Sequence, residues 1–132
     1  MIVKFFDMAD KSNPFNGLAI NDPERLAAAL DSLRSREPFL AKLIGENGWS
    51  VDVGIGGHIG CVQYLHENGL PPYLMALAAT PDARTGEIEF CMGCDISEVL
   101  PKYLLPFDKV KEIAIHFQQT GAPSSSVSWE EV

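Results

Sequence analysis

The stretch WSVDVGIGGHIGCVQYL constrains the chain most, because Gly54, Gly56, Gly57 and Gly60 fall within seven residues. Such a run either wraps a phosphate or turns the chain. A dinucleotide loop needs G-x-G-x-x-G between a strand and a helix, whose N-terminus carries the pyrophosphate. Here the third glycine comes one place late, and the following HIGCVQYLHENG is rich in β-branched and aromatic residues. No lysine or serine follows in Walker-A fashion. A hairpin turning at Gly56-Gly57, where both positions tolerate positive φ, fits better. It sets Val53 opposite Gly60, Val51 opposite Val62 and Trp49 opposite Tyr64, with Ile55 beside His58. Asp52 then meets Cys61 and Ser50 meets Gln63. One face is mainly apolar and the other mainly polar, as a half-buried antiparallel pair requires.

The rest of the chain supports one domain, residues 1–132. With 132 residues and 46% hydrophobic content it can build a core. No apolar run reaches membrane-spanning length, and MIVKFFDMADK lacks the build of a secretory signal. The expected location is the cytoplasm, with no membrane partner. Cys61, Cys91 and Cys94 are an odd set, which suits ordinary thiols rather than a disulfide framework. CMGC has C-x-x-C spacing but reads as strand, where side chains three apart face opposite ways. His58, His66 and His116 show no paired ligand spacing, so neither metal nor cofactor is expected.

A net charge of −8, from 18 acidic and 10 basic residues, repels nucleic acid. It favours a basic partner if there is one.

Turn and cap signals divide the chain. MIVKFF opens as a strand that KSNPFNG breaks. NDPERLAAALDSLRSR is a helix, with Asn21 or Asp22 as cap, Pro23 in the first turn and a stripe of Leu26, Leu30 and Leu33. Asn21 and Glu24 resemble a capping box. Residues 39–44 read as a strand before the Asn47-Gly48 turn. After the glycine hairpin, Asn68-Gly69 and Pro71-Pro72 turn the chain into YLMALAAT, and PDARTG turns it again. In EIEFCMG, Ile88 and either Phe90 or Met92 point inward while Glu87 and Glu89 point outward. PFDKVKEIAIHFQQTG is a second helix, with Val110, Ile113, Ala114 and Phe117 on one side and Gly121 to end it. PSSSVSWEEV closes as a strand. The predicted fold is α+β: an antiparallel meander of about five to six strands with two helices packed on one face.

No catalytic constellation emerges. Ser124, Ser125 and Ser126 lack a nucleophile-elbow pattern and read as a solvated turn. His58 reads as a hairpin-tip side chain, and His116 as a partly buried helix residue.

The tail LLPFDKVKEIAIHFQQTGAPSSSVSWEEV resembles the C-terminal signature of a family of immunity proteins from bacterial polymorphic toxin systems, Imm-type family one. The matching features are Pro106-Phe107, the turn FQQTGAP over residues 117–123, and Trp129-Glu130-Glu131. The glycine hairpin and EIEFCMGCDISEVLPKYLLPF resemble the same family's hairpin, strand and link into the helix. The likeness covers residues 39–132. It departs at MGC, where the family often carries paired glycines and this chain has Cys94.

The resemblance implies binding rather than catalysis. The partner would be a cognate toxin domain, basic and of a deaminase or other nucleic-acid-targeting kind. The free protein would be a monomer or weak dimer. On this reading Glu87, Glu89, Asp95, Glu98, Glu130 and Glu131 form the contact surface, with His58 at the hairpin tip beside them. The alternative function is a small-ligand-binding module that uses the glycine hairpin as a lid.

Overall fold

The computed structural model describes residues 1–81, 86–93 and 95–132. Most of the turn expected in PDARTG and the whole of Cys94 lie outside them. The described chain runs β1 (Val3–Asp7), β2 (Leu18–Ile20), α1 (Pro23–Ser32), β3 (Phe39–Ile44), β4 (Trp49–Gly56), β5 (Ile59–His66), β6 (Leu74–Ala76), β7 (Ile88–Met92) and β8 (Asp95–Val99). A 3₁₀ turn at Pro101–Tyr103 leads into β9 (Leu105–Pro106), α2 (Phe107–Thr120) and β10 (Trp129–Glu131).

The fold is α+β, built on a large antiparallel sheet. Its order is β10-β6-β5-β4-β3-β1-β2, so the meander β3 to β6 is extended at both ends by strands from the chain termini. Among the described residues ten strands form where five to six were expected. The unexpected ones are β2 with three residues, β8 with five and β9 with two, while β10, expected as the closing strand, has three. β6 keeps three residues of YLMALAAT.

Both helices cover one face of the sheet. Leu26 and Leu30 of α1 join Val110, Ile113, Ala114 and Phe117 of α2 in the main core. They meet Phe39, Ala41 and Leu43 of β3, Val51, Val53 and Ile55 of β4, and Val62 and Tyr64 of β5. These strand residues alternate in sequence because every second side chain of a strand faces the same way. Asp22 caps α1: its carboxylate accepts from the Glu24 N–H at 2.8 Å, and Asn21 takes no part. Gly121 ends α2 at φ 73°, a left-handed turn that glycine enters without a Cβ penalty.

The β4–β5 hairpin turns at Gly57-His58, one position later than the glycine pair suggests. Gly56 pairs with Ile59, Val53 with Val62 and Val51 with Tyr64. Each β4 residue therefore meets a residue two places beyond the expected one. A slip of two keeps every side chain on its expected face, because the pleat repeats every two residues. Only Gly57 of the Gly56-Gly57 pair takes positive φ, at 78°.

The second correction concerns the opposite face. Ser50 and Cys61 lie there, and both are buried. The segment 95–99, expected as a plain link, is the strand β8. It pairs with β7 as a hairpin that folds over this face. Phe90 of β7, Leu40, Cys61 and Val99 form a second small core.

Candidate partner-binding surface

The β7–β8 hairpin has two unlike sides. On its inner side Phe90 is fully buried, with Ile88 and Val99 beside it. On its outer side Glu89 stands directly opposite Glu98, and Cys91 opposite Ile96. Ile96 is 62% exposed and Leu100, one residue beyond β8, is 43% exposed. The Glu87 carboxyl, just before β7, lies close to that of Glu98. Hydrogen bonding between the two carboxyls and the repulsion of their charges raise the Glu87 pKa from its ordinary value. Three glutamates thus converge between two exposed apolar side chains. Like charges opposite one another weaken a strand pair, so the hairpin tolerates this cluster rather than gaining from it.

The other expected contact residues are dispersed. Asp95 is exposed at the start of β8, opposite Met92, and borders a separate depression with Met8, Asn16 and Gly93. Glu130 and Glu131 lie on β10, which pairs with β6. Glu130 is engaged within the chain: it accepts from Tyr103 Oη at 2.6 Å and from Lys102 Nζ at 3.0 Å. Those two partners hold its pKa below the ordinary glutamate value. Glu131 is exposed opposite Leu74. His58 is exposed at the β4–β5 turn.

That turn is fastened on both sides. The Gly57 carbonyl accepts from Arg34 Nε at 2.8 Å, and the His58 carbonyl accepts from the first N–H of α2, on Phe107, at 2.9 Å. A lid must break such contacts each time it opens. Nothing in this geometry favours the lid.

Between the β7–β8 hairpin and the sheet runs a cleft of about 310 Å³. Leu40, Cys61, Met75, Val99, Leu100 and Tyr103 wall it. Asp52 at its side is paired with Lys42 at 2.6 Å. Burial pushes the Cys61 thiol up to about 12, only partly offset by a hydrogen bond with the Gly54 backbone, so it is not a nucleophile at neutral pH. Among the described residues no three His, Cys, Asp or Glu side chains are grouped to hold a metal ion. Ser124 Oγ is bonded to Ser126 Oγ inside a turn. The outer hairpin face carries three carboxylates and two exposed apolar side chains.

Ile96 and Leu100 were not singled out from sequence. DISEVL carries no apolar–polar alternation, since Ile96, Val99 and Leu100 are apolar and Asp95, Ser97 and Glu98 polar, so no period of two marked the strand.

Among the described residues no helix is long and apolar enough to cross a membrane. A family model described as Immunity protein Imm1 matches residues 16–131. No curated protein matches the chain.

Proposed function

The chain belongs to the Imm1 family of immunity proteins, and from that premise we propose that it binds one cognate toxin domain through the outer face of the β7–β8 hairpin. The carrying observation is the convergence of Glu87, Glu89 and Glu98 between the exposed Ile96 and Leu100. An acidic patch with apolar anchors suits a partner of opposite charge. The anchors supply affinity, and the charges steer encounter. A net charge of −8 extends that field over the whole surface.

A basic toxin is commonly one that approaches nucleic acid, because a phosphate backbone selects lysine and arginine. The cognate toxin is therefore a nucleic-acid-targeting domain, such as a deaminase. The immunity protein covers the surface that would meet the nucleic acid, and it works in the cytoplasm of the producing cell as a monomer when free. Asp95, Glu130, Glu131 and His58 lie at the margins of this contact, with Glu130 the least available because Lys102 and Tyr103 hold it.

The test is titration of the purified protein against the toxin domain encoded beside it. Neutralisation is expected at a one-to-one ratio, with affinity roughly nanomolar or tighter, as for enzyme–inhibitor pairs of standard interface size. A toxin that stays fully active at equimolar protein refutes the reading.

A further inference from the structure

We propose that β8 presents an open strand edge to which the toxin adds an extended basic segment of its own, pairing backbone to backbone with Ile96 and Glu98. This rests on the toxin-binding reading above and specifies how the contact is made.

The direction of the β8 backbone groups follows from one hydrogen bond. The Cys91 N–H donates to the Pro38 carbonyl at 2.9 Å, so it points away from β8. In an antiparallel ladder the two residues of a pair either exchange both backbone bonds or exchange neither. Cys91 and Ile96 are therefore a non-bonded pair, and the Ile96 N–H and C=O face away from β7. Two residues on, those of Glu98 do the same. β7 is the only strand that β8 pairs with among the described residues. With five residues β8 is longer than β2 or β10, which have three each and end the main sheet path.

An open edge is a template for another strand, and proteins usually blunt it with charge. The charge here selects the occupant. A second copy of this chain would bring the outer-face glutamates of the two copies together, Glu98 near its counterpart and beside Glu87 and Glu89. That concentrates like charge and disfavours self-pairing. A segment whose every second residue runs apolar, cationic, apolar meets the opposite situation on that face. Its cations would lie beside Glu98 and Glu89, and its apolar side chains beside Ile96 and Leu100. Pairing also satisfies two backbone donors and two acceptors that otherwise depend on water.

Hydrogen exchange on the wild-type complex tests this. The probe is the toxin domain encoded beside this chain, at saturating concentration, with amide exchange of the immunity protein followed residue by residue. The Ile96 and Glu98 amides are expected to slow by roughly tenfold or more on binding, since added ladder bonds must open before exchange. The Ser97 and Val99 amides, already directed toward β7, serve as the internal comparison. An Ile96→Thr variant, which keeps the N–H, should bind more weakly yet still show protection at Glu98. A complex that forms and neutralises the toxin while Ile96 and Glu98 exchange as in the free protein overturns the strand-addition proposal and leaves the immunity reading standing. Failure of any complex to form overturns both.

Discussion

Phe90 of β7 rests on Gly54 of β4: a Cβ added to Gly54 would stand 3.0 Å from Phe90 Cε1 and 2.4 Å from Cys61 Sγ. The glycine makes room for a ring, and the ring fixes the hairpin that carries the acidic surface. Gly54→Ala is expected to lower stability by about 1–3 kcal/mol, the usual cost of overfilling a packed site. It should also loosen β7–β8 first, because the small core around Phe90 holds four buried residues among those described. Urea unfolding gives the stability change, and amide exchange in β7 and β8 shows where it falls. Unchanged exchange in that hairpin would contradict the role given to Gly54.

Trp129 has a structural task. It packs on the margin of the main core, its Nε1 donates to the Ser124 carbonyl at 2.8 Å, and its ring meets Tyr64 edge-on at 6.4 Å. It is half-buried, so Trp129→Ala should cost about 2–3 kcal/mol, below the range for a fully buried tryptophan. The melting temperature should drop while toxin affinity at low temperature holds. The reverse pattern would make Trp129 a contact anchor.

The glycine run and the helices show what the sequence made readable. Leu26 and Leu30, and Val110 through Phe117, repeat at helical spacing, and the core uses those positions. The hairpin faces were readable because the pleat alternates. Its register was not, because Gly56 and Gly57 look alike and only the fold decides which takes positive φ. β8 escaped notice for a longer-range reason. Its place depends on Phe90 finding the gap over Gly54, more than thirty residues earlier, and no local period encodes that fit. The acidic character of Glu87, Glu89 and Glu98 was readable. Their approach on one ribbon, and the apolar Ile96 and Leu100 that frame them, required the hairpin to be seen.

Asp7 makes stability depend on pH. Its side chain is fully buried and accepts from Arg36 Nη1 at 2.7 Å, Asn13 Nδ2 at 3.0 Å, and the Ala9 and Asp10 N–H groups at 2.9 and 3.0 Å. Burial alone would raise its pKa, but the bonds from Arg36, Asn13 and the backbone outweigh it and leave it below the ordinary aspartate value. A depressed folded pKa gives stability that is present in full above the unfolded value and lost as pH falls through the folded one. Asp7→Asn should therefore cost about 1–3 kcal/mol near neutral pH, where charged hydrogen bonds are lost. The gap should close as pH falls below the ordinary aspartate range, about 3.9. Urea midpoints of the two proteins across that range are the measurement. A gap that stays constant would mean the carboxylate charge contributes nothing.

Glu98 separates stability from function most sharply. It faces Glu89 across the ladder and shares a hydrogen bond with Glu87. Replacing it by glutamine removes repulsion from the hairpin, so Glu98→Gln should melt no lower than wild type, and higher at low salt. The same change removes the centre of the acidic cluster, so association with the toxin should slow and its salt dependence flatten. A residue kept only for the fold would show neither the gain nor the loss. Acidification provides an independent check. The Glu87 pKa is raised, chiefly by the Glu98 hydrogen bond, so on lowering the pH Glu87 takes up a proton before an ordinary glutamate does. Wild-type association should begin to slow at that higher pH, as the cluster loses charge. In Glu98→Gln the onset should move down, because the second charge is gone. If the association rate and salt slope of Glu98→Gln match wild type, the hairpin face is not the contact, and the exposed turn at His58 becomes the surface to test.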